Sequence, residues 1–146
     1  MLFRSKFDAV YGGEMSAHHY FRDFFYCDSG MIPWLLIIEL LSYKGQCLAP
    51  LLNERMEKFP SPGELNFKIS DKDSAIKNIE SHFSRNEKPV IIDHFDGLNM
   101  EFEKWRFSLR CSNTEPLIRL NLETRGDRKL MEEKLDLIKN LLKQWK

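Results

Sequence analysis

The sequence has no excess of either charge: 22 basic residues face 22 acidic ones over 146 positions. A nucleic-acid or anionic-membrane partner is drawn by a field of one sign, so neither is expected here. Cysteine is scarce. Cys27, Cys47 and Cys111 lie far apart, which suits reduced thiols better than a disulfide framework or a zinc site. The N-terminal "MLFRSKFDAVYGG" has basic residues but lacks the apolar core of an export leader. The one strongly apolar run, "MIPWLLIIELL", is interrupted by Glu39 and falls short of the ~20 residues needed to cross a bilayer. There is no internal repeat and no low-complexity segment. A soluble, cytoplasmic protein is expected. What the chain does have is 42% apolar residues, with 11 Phe and 3 Trp. That is enough to pack the core of one ordinary domain, or of one small domain plus part of another.

The apolar run reads as a helix by its ends. Asp28 or Ser29 can cap it, Pro33 suits its first turn and Gly45 can close it. Apolar residues surround its axis from Met31 to Leu41, and such a helix needs cover on nearly every side. Only about thirty residues precede it, too few to supply that cover. A second helix is predicted from about Cys47 to Lys58, with Leu48, Leu51, Leu52, Met56 and Phe59 on one stripe. The segment "KFPSPGE" then marks a domain boundary.

Beyond it the pattern is α+β. Leu65, Phe67 and Ile69 alternate as in a strand, and Asp73 or Ser74 opens a helix with Ile76, Ile79 and Phe83 on one face. "PVIID" reads as a short strand, and "DHFDGLNM" carries an Asp-Gly turn signal. Trp105, Phe107 and Leu109 alternate, as do Ile118, Leu120 and Leu122, before a final helix capped by Asp127 with a stripe of Met131, Leu135, Ile138, Leu142 and Trp145. The reading is β-α-β-β-β-α: an antiparallel sheet with two helices on one face.

Two stretches carry polar chemistry. In "RCSNTEPLIR" the strand register turns Arg110 and Arg119 outward, near a tip that holds Ser112, Asn113 and Thr114. Guanidinium forks, hydroxyls and turn amides are the donors that satisfy phosphate oxygens. The same residues also suit a polar turn flanked by two solvated arginines, and composition leaves both readings open. In "YGGEMSAHHYF", Glu14 and Ser16 put a carboxylate near a hydroxyl, a pair that can accept from and donate to a sugar's adjacent hydroxyls. His18 and His19 are neighbours, pointing different ways in a strand and lacking the i, i+4 spacing of a helical metal pair. No metal ligand is assigned.

"GEMSAHHYFRDF" and "RCSNTEPLIRLNLETRGD" together resemble the phosphomannomutase/phosphoglucomutase branch of the α-D-phosphohexomutases, and the likeness continues through "YCDSGMIPWLLIIELLS". The first stretch is similar to the sugar-recognition loop of that family's third domain, and the second to the phosphate loop of its fourth. The resemblance implies a partial α/β domain over residues 1–59, the end of the third domain. It implies a TATA-binding-protein-like fourth domain over 60–146. It also implies interconversion of mannose 6-phosphate and mannose 1-phosphate, with the glucose phosphates as a second substrate pair of the branch, through a phosphoserine and a bisphosphate intermediate with magnesium at the serine. Carried over by position, Glu14 and Ser16 would bind the sugar's 3- and 4-hydroxyls with His18 close by. Arg110, Ser112, Asn113, Thr114 and Arg119 would hold the phosphate that does not react. In the intact family the two loops form opposite walls of one cleft.

The family's Ser-His-Asn-Pro phosphoserine motif and its Asp-Gly-Asp-Gly-Asp magnesium loop have no counterpart in this sequence. No catalytic residue and no magnesium ligand is therefore assigned. The expectation is the C-terminal part of a mutase, a gene fragment or an excised piece, that binds a hexose phosphate and leaves catalysis to absent N-terminal domains. Two other expectations stand beside it. One is a non-catalytic sugar-phosphate-binding module that self-associates through the helix at 31–44. The other is a non-functional remnant that folds only over 61–146. Where related loops often have Gly, this one has Ala17, a change expected to matter little.

Overall fold

The computed structural model describes residues 8–14, 17–112 and 115–145. The chain divides into two compact units, Met1–Leu51 and Leu52–Lys146.

The first unit holds three short antiparallel strands, β1 (Tyr11–Gly13), β2 (His19–Phe21) and β3 (Cys27–Asp28), in the order β1-β2-β3. None is long enough to show an alternating pattern, so the sequence does not announce them. Helix α1 (Met31–Lys44) follows. Its first turn is served by Ser29, whose hydroxyl accepts from the Ile32 N–H at 3.3 Å. Asp28, the other candidate cap, is turned to the histidines instead. Gly45 closes the helix in the left-handed conformation, its N–H donating to the Leu41 carbonyl. Met31, Trp34, Leu35, Leu36, Ile37, Ile38 and Leu40 are 39–62% exposed. The all-round apolar helix thus lacks the cover its composition demands. Helix α2 (Leu48–Lys58) comes next.

The second unit is built on a five-stranded antiparallel sheet of β4 (Leu65–Lys68), β5 (Ile91–Asp93), β6 (Leu98–Glu101), β7 (Trp105–Cys111) and β8 (Leu117–Thr124), in the order β4-β8-β7-β6-β5. The sheet has one strand more than the sequence pattern showed. β6 is four residues, "LNME", with only Leu98 and Met100 buried, and two apolar residues do not separate a strand from the turn before it. Helix α3 (Lys72–Asn86) begins two residues earlier than read, because Asp71 and not Asp73 is its cap: the Asp71 carboxylate accepts from the Ser74 N–H at 3.1 Å. Helix α4 (Arg128–Lys143) is capped by Asp127 through the Leu130 N–H at 2.9 Å.

Alternation along β7 and β8 sends Trp105, Phe107, Leu109, Ile118, Leu120 and Leu122 into one core with Ile79 and Phe83 of α3 and Met131, Leu135, Ile138 and Leu142 of α4. Inside it Phe83, Phe102, Trp105 and Phe107 form an aromatic cluster, with Phe102 and Trp105 stacked at 4.5 Å. Each such ring removes roughly 150–250 Å² from water, which dominates the unit's stability. The opposite face of β7 and β8 carries Arg106, Ser108 and Arg110 on one strand and Arg119, Asn121 and Glu123 on the other, with Leu117 at its end.

Among the described residues, no single helix is long and apolar enough to cross a membrane.

Candidate functional site

The polar face of the sheet places the two expected arginines side by side. β7 and β8 pair so that Arg110 lies directly opposite Arg119, and Arg119 faces Asn66 of β4 on its other side. An outward row Asn66–Arg119–Arg110 therefore runs across three strands. Two like charges directly opposed in a sheet destabilise it unless something of opposite sign intervenes. Arg110 finds Asp96, whose carboxylate accepts from the guanidinium Nε at 3.0 Å. The Nε of Arg119 is shielded from solvent and has no hydrogen-bond partner among the described residues. A sequestered donor with no acceptor costs about 1–3 kcal/mol, more when charged.

Asp96 reaches Arg110 because of Gly97. The turn between β5 and β6 holds Gly97 at φ +84°, and a Cβ there would stand 2.2 Å from the Leu109 carbonyl oxygen. Only glycine lets this turn lie against β7.

Where the hairpin turns, Ser112 is 7% exposed. Its N–H donates to the Leu117 carbonyl at 2.9 Å, and its hydroxyl accepts from the Glu115 N–H at 3.2 Å. Ser112 thus shapes the loop from within. Asn113 and Thr114 lie outside the described residues. Two anchors reach the loop from β4 and α3. The Ile69 N–H donates to the Pro116 carbonyl at 3.1 Å, and Lys72 Nζ donates to the Ser112 carbonyl at 2.9 Å and the Glu115 carbonyl at 3.5 Å. Cys111, at the strand end, has its thiol pushed up by burial while Lys72 pulls it down.

In the first unit, Glu14 follows β1, its N–H donating to the His18 carbonyl at 2.9 Å, while the Ala17 N–H donates to the Glu14 carbonyl at 3.0 Å. Ser16 lies outside the described residues. Ala17 sits at φ +63°, in the left-handed region where a Cβ is crowded. The change from Gly is therefore not neutral, as it strains this turn. His18 and His19 are both tied to Asp28. One carboxylate oxygen is 2.7 Å from His18 Nδ1 and the other accepts from the His19 N–H at 2.8 Å. The hydrogen bond from His18, then the one from the His19 amide, holds the Asp28 carboxyl below its ordinary range. Tyr11 O–H lies 2.7 Å from His19 Nδ1. Asp28, Lys72 and Asp96 were not legible as site neighbours. They stand 10, 40 and 14 residues from the groups they touch, and only register or chain crossing brings them in.

A cleft of about 710 Å³ lies at the other end of β7 and β8, beside Trp105 and Thr124. Its arginines are paired, Arg106 with Glu123 at 2.8 Å and Arg125 with Glu101 at 2.9 Å, as Arg110 is with Asp96. Among the described residues, no group of three or more His, Cys, Asp or Glu side chains could hold a metal ion. These residues do not fit a magnesium site, and no step through magnesium is derived from them.

Comparison with known proteins places these features. Residues 2–59 match the family model for phosphoglucomutase/phosphomannomutase, alpha/beta/alpha domain III. Residues 64–140 match the one for the phosphoglucomutase/phosphomannomutase C-terminal domain. The chain is 56% identical over 135 residues to a phosphomannomutase of Salmonella montevideo, covering 92% of this chain and 29% of that protein. It is 54% identical over 139 residues to a phosphomannomutase of Escherichia coli K12, covering 95% and 30%. A crystal structure of a phosphoglucomutase/phosphomannomutase family protein from Burkholderia thailandensis shares the fold, with a TM-score of 0.65 at 23% identity over 98% of this chain and 31% of that one. The chain spans about 30% of the length of these curated relatives, the C-terminal part. With half its length matched by the C-terminal domain alone, this chain belongs to the phosphoglucomutase/phosphomannomutase family.

Proposed function

We propose that this chain is the substrate-binding, C-terminal part of a phosphomannomutase, with residues 1–59 ending the third domain and 60–146 forming the fourth. The observation that carries this reading is the Arg110–Arg119 pair beside the 112–115 loop, with one guanidinium nitrogen sequestered and unpartnered among the described residues. Arg110, Ser112, Asn113, Thr114 and Arg119 hold the phosphate that stays in place. Glu14 and Ser16 take the sugar's 3- and 4-hydroxyls, and His18 stands close by, oriented by Asp28. Holding one phosphate fixes the other for in-line transfer, which is catalysis by positioning. The acceptor serine and the charge neutralisation that transfer requires come from the remaining domains of an intact mutase, whose product would be mannose 1-phosphate. The setting is the cytoplasm.

The test is an amide-shift titration of the full chain with mannose 1-phosphate, with inorganic phosphate as control. Saturable shifts at 110–119 and 14–18 that plain phosphate fails to reproduce support the reading. Their absence, or equal shifts with phosphate, overturns it for this chain. Mutase turnover by the purified chain alone would overturn the division of labour.

The exposed α1 favours a second reading, a binding module that self-associates through Trp34, Leu35 and Leu36. A monomer in sedimentation, with α1 amides protected from exchange, would exclude it.

A further inference from the structure

We infer that Lys72, the first residue of α3, is a positioning residue that ties Ser112 to Glu115, the two described residues flanking Asn113 and Thr114. The inference rests on the phosphate reading of that loop. Lys72 is half-buried, and its ammonium spans the loop's two ends, 2.9 Å from the Ser112 carbonyl and 3.5 Å from the Glu115 carbonyl. Between those ends stand Asn113 and Thr114, two of the residues assigned to phosphate. A charged donor shared between two main-chain carbonyls makes stronger bonds than a neutral one, and here it links the residue after β7 to the residue before Pro116.

The charge matters as well as the tether. Among the described residues no carboxylate pairs with Lys72, although both its chain neighbours are acidic. Asp71 turns its carboxylate to the Ser74 N–H as a helix cap, and Asp73 is exposed. The Lys72 ammonium itself is directed at the Ser112 and Glu115 carbonyls. Arg110 and Arg119, paired across β7 and β8, supply the other two cations of the proposed site. A dianionic phosphate monoester is the ligand class such a set fits.

The loop's second anchor is independent of this side chain. The Ile69 N–H donates to the Pro116 carbonyl, so removing Lys72 leaves β4 attached to the hairpin and the core untouched. The variant is expected to fold.

The test compares Lys72→Met, Lys72→Arg and, as a control for net charge, Lys77→Met at an exposed position of the same helix, all in the full chain. Two readouts are taken: exchange of the Glu115 and Ser112 amides, and affinity for mannose 1-phosphate. Lys72→Met should speed Glu115 exchange and weaken binding, each about tenfold to hundredfold, the range for losing one or two charge-assisted bonds. Lys72→Arg, which keeps charge and donors, should stay within about threefold of wild type, and Lys77→Met should bind as wild type. Unchanged exchange in Lys72→Met overturns the tether. Equal weakening by Lys77→Met shows a general charge effect and overturns the positioning role. A wild type that binds no mannose 1-phosphate overturns the phosphate reading and the ligand half of this inference. The exchange result then judges the tether by itself.

Discussion

Gly97→Ala should be among the most damaging single-methyl additions available in this chain, and its size can be worked from the backbone. At φ +84° a Cβ meets the Leu109 carbonyl oxygen at 2.2 Å and the Arg110 Cα at 3.1 Å. Both are main-chain atoms of a central strand and cannot swing away. The left-handed conformation costs a non-glycine residue roughly 1–2 kcal/mol, and forcing a methyl into occupied space costs roughly 1–3 kcal/mol more. Alanine's smaller unfolded-state entropy returns about 0.4–1 kcal/mol. The net loss is about 2–4 kcal/mol. Gly126 is the matched control, because its φ is +69° and nothing lies within 4 Å of its would-be Cβ. Gly126→Ala should lose only the dihedral part, about 1 kcal/mol. Urea unfolding followed by Trp105, which is 4% exposed in the core, measures both. If the two variants lose equal stability, steric exclusion at Leu109 is not what glycine serves there and the reasoning fails.

Ala17→Gly should stabilise the first unit by about 0.5–1 kcal/mol, because relief of the left-handed strain outweighs glycine's extra unfolded freedom; a loss on urea unfolding would refute this. Asp28 is held below the ordinary carboxylate range by His18 and the His19 amide, so its contribution is complete above its unfolded value near pH 4 and is lost as the pH falls through the folded value. Protection of the His19 amide should therefore drop below about pH 4 in the wild type, and Asp28→Ala, which has no acceptor, should already be unprotected at neutral pH. Lys134 pairs with Glu87 and lies 5.0 Å above the Trp105 ring, both charged side chains being largely covered at 18% and 23% exposure. Lys134→Met should cost about 1–3 kcal/mol by thermal unfolding, because it leaves the largely covered Glu87 carboxylate with only the Trp105 indole N–H as a partner. A loss below the precision of the measurement would show the pair to be idle.

By itself the sequence determined the period of every long element. Alternation in "WRFSLR" and "LIRLNLET" was enough to say which residues are core and that Arg110 and Arg119 face away from it. A 3.6-residue stripe did the same for the last helix, whose cap was also legible. The uncovered α1 was legible too, since an apolar surface on all sides is a statement about composition alone. Strand β6 was hidden because four residues cannot carry a period, and the cap of α3 was displaced because three acidic or hydroxyl residues competed for it within four positions. What tertiary structure decided was pairing. That Arg110 stands opposite Arg119, that Asp96 comes to one of them through a turn only glycine can make, and that Lys72 crosses from α3 to close the 112–115 loop all depend on register and crossing points. A periodic pattern says which way a side chain faces and is silent about what it meets, because the meeting is set by which strands lie next to each other and at what offset.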